Sequence, residues 1–304
     1  MPELPEVQTT VSGLKKVLPK LKINDFWSDL PQKNHKQKET IKNASYFNFF
    51  KKEIVGKKII DVKRKAKNIL IFLDNNKTIL IHMKMTGHLL YGNYEKTKDS
   101  WKPKEKGPLQ DPYNRFIHAV FILSGKKHLA FSDTRKFGKI TLLDSNKLEE
   151  SKDLKNLGPE PLEKNFTFPK FLERINKKPN WKIKQALMDQ SLISGIGNIY
   201  SDEILFFAGI NPEERVTDIE NKEFRKMFEG IKTILSKGIK FGGDSMSDYR
   251  NIDGKKGNFQ YHHLAYQRTG EKCSKRGCIG VIIRKKVGGR SAHFCSCHQK
   301  LRVR

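Results

Sequence analysis

The sequence predicts a multidomain α+β protein: one N-terminal helix leading into an all-β sandwich or barrel, then a run of helices, then a cysteine-bearing hairpin. Three patterns carry this reading. Apolar residues fall at helical spacing over 4–18, short β-rich runs separated by turn residues fill 54–143, and all four cysteines lie beyond residue 270. At 304 residues the chain can form two domains or one large one and bury a sizeable core.

The first helix is placed by Leu4, Val7, Val11, Leu14, Val17 and Leu18, and Pro19 stops it. The β runs are Ile54–Val62, Ile69–Leu73, Thr78–Met85, Phe116–Leu123, His128–Ser132 and Lys139–Leu143, with Asp74-Asn75-Asn76 and Ser124-Gly125 as turns. The polar, Lys-rich stretch 92–115 reads as a long loop or insertion with no assigned role. Leu157-Gly158-Pro159-Glu160-Pro161-Leu162 is a punctuated linker. Helices follow at about 168–177, 182–191, 197–208 and 219–237, with a short piece near 245–249, and the Gly195-Ile196-Gly197-Asn198 turn joins two of them.

Charge narrows the function. Sixty Lys and Arg face 33 Asp and Glu, a formal balance of +27. Such an excess repels itself, and binding a polyanion is the simplest compensation. Nucleic acid leads; an acidic membrane surface comes second, without a strongly amphipathic basic helix to support it. No apolar run reaches the ~18 residues of a membrane-spanning helix. No basic-then-apolar leader opens the chain. The expectation is a cytoplasmic (nucleoid-associated) monomer with no membrane partner.

The first six residues, Met1-Pro2-Glu3-Leu4-Pro5-Glu6, permit two readings. As structure they start a helix, where Pro and Glu are favoured. As chemistry, trimming Met1 makes Pro2 a free secondary amine with a pKa of about 8, partly unprotonated at neutral pH. Such an amine attacks electrophilic carbon to form an iminium, and Glu3 and Glu6 supply acids beside it.

The cysteines run Cys273-x4-Cys278, sixteen residues, then Cys295-x-Cys297. Two close pairs across a hairpin-length spacer suit tetrahedral zinc, and a reducing compartment argues metal over disulfides. The spacing within each pair is unusual, and His298, at Cys295-x2-His298, competes with Cys297 as the fourth ligand. Arg284, Lys285, Lys286 and Arg290 on the same hairpin suit a DNA groove or phosphates. The helix opened by the Gly195–Asn198 turn offers free N–H groups and the Asn198 amide to phosphate, although a plain packing joint would look the same. In Asp133-Thr134-Arg135-Lys136-Phe137-Gly138, an Arg beside a Phe on a turn can wedge into a base stack; a hairpin with one buried Phe fits equally. In His82-Met83-Lys84-Met85-Thr86-Gly87 the methionines read first as core filler, and a lone Lys such as Lys67 as surface.

Taken in order, these stretches resemble the bacterial formamidopyrimidine-DNA glycosylase family, relatives of endonuclease VIII, over essentially the whole length. The carrying residues are Pro2–Val7, which match the family's opening Pro-Glu-Leu-Pro-Glu-Val, with His82–Gly87, Asp133–Gly138, Leu157–Leu162, Gly195–Ser201, Asp253–Gly257 and the Cys hairpin with Gly289-Arg290-Ser291. Leu4 favours this branch; the endonuclease VIII branch usually has Gly there.

The resemblance implies a catalytic helix-plus-β-sandwich domain over 1–150, a helix-two-turn-helix DNA-binding domain over 151–257 and a zinc-finger hairpin over 258–304. It implies a bifunctional base-excision enzyme on damaged double-stranded DNA. That enzyme would release oxidised purines (8-oxoguanine, formamidopyrimidines) and cut the strand as an AP lyase by β,δ-elimination. Pro2 would be the Schiff-base nucleophile, Glu3 the general acid/base and Glu6 its buttress. Lys67 would complete the catalytic set, contacting the lesion-side phosphate. Met85, Arg135 and Phe137 would fill the gap left by the flipped base, with Arg135 reading the orphaned cytosine. Asn198, Arg290 and Tyr266 would hold DNA. One structural zinc would sit on Cys273, Cys278, Cys295 and Cys297. Gly242-Gly243-Asp244-Ser245 departs from the family's Gly-Gly-Thr before its base-capping loop. An oxidised-pyrimidine glycosylase of the endonuclease VIII type and a non-catalytic zinc-finger DNA-binding protein are the alternatives.

Overall fold

The computed structural model describes residues 1–98 and 100–302. They form two compact units: Met1–Lys155 with Phe241–Asn258, and Asn156–Lys240 with Phe259–Arg304. The ranges 1–150, 151–257 and 258–304 stand as a proposed division by role. By packing, the segment 241–258 joins the first unit and the cysteine hairpin joins the helices.

In the first unit, helix α1 (Leu4–Val17) starts on a capping box between Glu3 and Glu6, with Pro5 in its first turn. Its buried stripe, Val7, Val11 and Leu14, enters the main core. The strands are β1 (Ile23–Ser28), β2 (Ile59–Lys65), β3 (Asn68–Leu73), β4 (Lys77–His82), β5 (His88–Gly92), β6 (Tyr94–Lys96), β7 (Trp101–Pro103), β8 (Ile117–Leu123), β9 (His128–Ser132) and β10 (Lys139–Asp144). Two antiparallel sheets, β1-β8-β9-β5 and β10-β4-β3-β2, make the sandwich. Alternation sends Ile69 and Ile71 of β3, Ile79 and Ile81 of β4, and Phe121 of β8 into one core with Phe26 and Phe131. Helix α2 (Ala44–Ile54) adds Phe50 to it.

The sequence reading starts its strands at Ile54; that residue instead ends α2, and β2 begins at Ile59. Strands β1 and β5 are unassigned in the sequence reading. The insertion at 92–115 is structured. Its β6–β7 hairpin and two short turns bring Tyr94, Trp101 and Leu109 onto the outer face of the first sheet, against Leu90, Val120 and Trp27. The insertion also clamps the segment 241–258. Arg250 is fully buried, its guanidinium 3.1 Å from Asp111 and stacked 4.7 Å over the Tyr113 ring. Asn114 donates to the carbonyl of Gly254 at 3.3 Å. The short helix expected near 245–249 does not form. Asp244 accepts from the Met246 N–H and Ser245 from the Gly257 N–H, so their side chains close a loop in place of a helical turn.

The second unit contains α3 (Phe168–Ile175), α4 (Ile183–Met188), α5 (Asn198–Ala208), α6 (Asn221–Lys240) and a hairpin of β11 (Ile282–Val287) and β12 (Arg290–Cys295). Helix α5 is almost wholly buried, including Asp202 and Glu203. It lies close to α6 at Gly238, where a Cβ would meet the Tyr200 ring at 2.6 Å. Among the described residues, no helix is long and apolar enough to cross a membrane.

Candidate active site

The capping box that starts α1 also builds the N-terminal site. Met1 is 43% exposed, whereas Pro2, Glu3 and Glu6 are buried. Glu6 uses both carboxylate oxygens: Oε2 accepts the Glu3 N–H at 2.7 Å and Oε1 the Asp244 N–H at 2.7 Å. Tyr249 donates its hydroxyl to the Glu6 carbonyl at 2.9 Å. Burial pushes that hydroxyl's pKa upward, so it stays a donor. Gly243, at φ +84°, lies so close that a Cβ would meet Glu6 Cγ at 2.9 Å. The capping box therefore ties Glu3 to Glu6 next to the buried Pro2, and the loop 242–249 packs on Glu6.

A second group is organised by Asp133, which is completely buried. Its Oδ1 accepts from the Thr86 hydroxyl and from the Arg135 N–H at 3.3 Å; its Oδ2 accepts from the Gly138 N–H at 2.7 Å. The turn after β4 and the turn before β10 are thus locked to one carboxylate. They present Met85 (39% exposed) and Phe137 (48% exposed), with the Arg135 guanidinium 4.5 Å over the Phe137 ring. In the sequence Asp133 is visible only as an Asp opening a turn ahead of Arg135 and Phe137. Lys67 sits on the β2–β3 turn beside Ala66 (φ +52°) and is buried. His82, at the end of β4, is held neutral down to about 3, first by burial and then by the charges of Lys84, Lys67 and Lys139.

In the second unit, Gln190 stitches the turn ahead of α5, accepting from the Gly195 N–H at 2.9 Å and donating to the Ile196 carbonyl at 2.7 Å. Asn198 opens α5 with its side-chain oxygen buried and without a hydrogen-bond partner. One turn on, the Glu203 carboxylate accepts the N–H groups of Leu264, Ala265 and Tyr266 at 2.8–2.9 Å, fixing the backbone of Tyr266. Burial raises the Glu203 pKa, and those three N–H groups oppose the rise. Asp202 pairs with the buried Lys184 and accepts from the His293 N–H at 2.9 Å and its ring at 3.0 Å, fastening β12 to α5. Arg290 stands exposed beside the Gly288-Gly289 turn, where both residues have positive φ.

Four ligand atoms lie within 4.8 Å of one another: the sulfurs of Cys273, Cys278 and Cys295 and a ring nitrogen of His298. Cys278 and Cys295 Sγ are 3.5 Å apart, and Cys273 Sγ lies 3.4 Å from His298 Nδ1. Tetrahedral zinc with bonds of about 2.3 Å to sulfur requires edges of this size. Cys297, expected as the fourth ligand, is outside the quartet. Its N–H donates to Cys295 Sγ at 3.4 Å, a tight knuckle that brings the next residue, His298, round to face the other thiols. Burial lowers the His298 pKa, and Nε2 lies 3.2 Å from the Phe206 carbonyl while Nδ1 faces Cys273 Sγ.

A helix-led β-sandwich, a glycine turn opening a buried helix at Asn198 and a Cys/His hairpin together point to a DNA-repair glycosylase of the helix-two-turn-helix class. Residues 1–140 match the formamidopyrimidine-DNA glycosylase N-terminal domain and residues 157–250 the H2TH domain of the same enzymes. The chain is 37% identical to the formamidopyrimidine-DNA glycosylase of Pelotomaculum thermopropionicum, over 99% of this chain and 100% of that one. It is 35% identical to the Heliobacterium modesticaldum enzyme over 99% and 100%. Among solved structures, Lactococcus lactis Fpg bound to an abasic-site DNA aligns with a TM-score of 0.82 at 31% identity, covering 98% of this chain and 100% of that one. MutM bound to DNA containing carbocyclic 8-oxo-G aligns equally well. The chain belongs to the formamidopyrimidine-DNA glycosylase family, whose members are DNA glycosylases of base-excision repair.

Proposed function

We propose that the chain removes oxidised purines, 8-oxoguanine and formamidopyrimidines, from double-stranded DNA and then cuts the strand. The observation that carries this is the mounting of Pro2 and the buried Glu3 at the start of α1, with Glu6 clamped by backbone N–H groups. With Met1 removed, the Pro2 amine attacks C1′ of the lesion sugar and the C1′–N bond to the base breaks, the base leaving with a proton. Glu3 moves that proton and helps open the ring. A secondary amine then becomes a charged iminium, an electron sink that acidifies C2′–H. Loss of that proton expels the 3′ phosphate, and a second elimination expels the 5′ phosphate. Glu6 is a positioning residue, because both its oxygens are already occupied by backbone donors.

Flipping the damaged nucleotide costs a few kcal/mol. Met85, Arg135 and Phe137, held out by Asp133, fill the vacated stack and offset part of that cost. Lys67, Asn198, Tyr266 and Arg290 are the proposed backbone contacts. One structural zinc would be held by Cys273, Cys278, Cys295 and His298, and it would supply rigidity to the hairpin that carries Arg290.

A panel of duplexes tests the assignment. Cleavage is expected at 8-oxoguanine, formamidopyrimidine and abasic sites. Preference for thymine glycol would move the chain to the oxidised-pyrimidine class. Cleavage of none, with binding intact, would make it a non-catalytic DNA-binding protein.

A further inference from the structure

The first unit carries a concentration of positive charge that the proposed catalytic and base-stack residues do not use. A cavity of about 510 Å³ opens between the loop 36–40, the turn at Lys84, the start of β10 and the turn at 152–153. Lys36, Lys38, Lys84, Lys139 and Lys152 line it. Two carboxylates answer them: Asp153 takes Lys139 at 2.7 Å and Glu39 takes Lys152 at 3.4 Å. Among the described residues, no carboxylate lies within 4.0 Å of the Lys36, Lys38 or Lys84 ammonium. The field reaches further. Lys84 and Lys139 help keep His82 neutral, and Lys84 adds to the burial that lowers the pKa of Lys42.

Two further observations say what would answer this charge. No aromatic ring and no Arg lines the cavity, so nothing there stacks on a base; ammonium groups recognise phosphate as point charges. The cavity also begins where the base-stack turns end. Lys84 immediately precedes Met85, Lys139 follows Phe137 by two positions, and Lys139 pairs across the ladder with His82.

We propose that this cavity is a phosphate subsite holding the backbone of duplex DNA as it runs on from the nucleotide that Met85, Arg135 and Phe137 displace. The subsite rests on the glycosylase reading above. It adds affinity and register without choosing the lesion, because phosphate contacts carry no sequence information.

The test is the salt dependence of binding to a duplex with an uncleavable tetrahydrofuran abasic analogue. The full chain is compared with Lys36→Gln/Lys38→Gln/Lys152→Gln between about 50 and 200 mM salt. The expected result is a log–log slope shallower by about 2.7, at about 0.9 for each of the three lost contacts, with affinity down by about tenfold or more. Base release from saturating lesion duplex should be retained. The control Lys170→Gln/Lys177→Gln, on α3 and just past its end, should leave the slope as in wild type. An unchanged slope in the triple variant, with normal excision by wild type, overturns the subsite and leaves the glycosylase reading standing. An equal change in the control reduces the effect to net charge and overturns it too. Loss of inorganic pyrophosphate binding with an unchanged DNA slope would assign the cavity to a free anion instead. If wild type excises nothing, the glycosylase reading fails first and takes the subsite with it.

Discussion

Glu6 Oε1 accepts the backbone N–H of Asp244 at 2.7 Å, across 238 positions of sequence. The other oxygen holds the Glu3 N–H, so one carboxylate ties the first turn of α1 to the segment 241–258. Glu6→Gln keeps the shape but turns an amide N–H toward one of two backbone donors, leaving that donor unsatisfied. The variant should lose about 1–3 kcal/mol of stability. Its excision rate should fall further than its affinity for abasic DNA. Denaturant titration and single-turnover rates check this; an unchanged unfolding midpoint would contradict the two-oxygen clamp.

Asp133 makes the corresponding prediction for the base-stack turns. Asp133→Asn replaces one of two acceptor oxygens by an amide NH2, so either the Gly138 N–H or the Thr86 and Arg135 donors lose their acceptor, which should cost about 1–3 kcal/mol. Because it frees the turn carrying Arg135, it should also weaken preference for the base opposite the lesion. Arg135→Ala should lose that preference more than non-specific affinity. A uniform loss of affinity in Arg135→Ala would recast it as a phosphate contact.

The zinc quartet separates two neighbours in sequence. Cys297→Ser should retain about one zinc per chain, and His298→Ala should lose zinc to a weak chelator. The reverse pattern, measured by chelator-dye release, would restore Cys297 as the ligand.

These cases show what was legible in the sequence. The α1 stripe and the β3 and β4 runs could be read because each buries one periodic face: Val7, Val11 and Leu14 in the helix, Ile69 and Ile71 or Ile79 and Ile81 in the strands. Strand β1 escaped because Asn24, Asp25 and Ser28 dilute its alternation. Helix α2 escaped because its core residues, Phe50 and Ile54, stand among Tyr46, Phe47 and Phe49, so no single apolar stripe stands out, and Ile54 reads as the start of the strand run that follows. The insertion looked like a loop because its apolar residues, Tyr94, Trp101 and Leu109, are spread among lysines and meet only on the sheet surface. The N-terminal kit and the cysteines were legible as residue types. Their long-range partners were not: no local pattern announces that Asp244 reaches Glu6, that Glu203 holds Tyr266, or that the Cys297 N–H turns His298 toward the thiols.

His82 gives a pH prediction. The unfolded chain takes up a proton near the usual value of 6.5, the folded chain only at about 3. Stability conferred by neutral His82 is therefore present above 6.5 and lost as pH falls through that window, at about 1.4 kcal/mol per pH unit. Neutral Nδ1 also accepts the Lys84 N–H at 2.9 Å, a bond that protonation removes. His82→Asn, which keeps an acceptor there, should lose less stability than wild type between neutral pH and the acid limit of the window. Parallel pH–stability curves for the two proteins would contradict this. His88 is shifted in the same direction, so the difference between the two curves is the quantity to read.

The central claim is that the Pro2 amine carries the covalent step, and borohydride trapping on abasic or 8-oxoguanine duplex measures it most directly. The account predicts one covalent adduct per active chain, mapped to Pro2, and its suppression by Pro2→Gly or by retention of Met1. Undiminished trapping with Met1 still in place would contradict it.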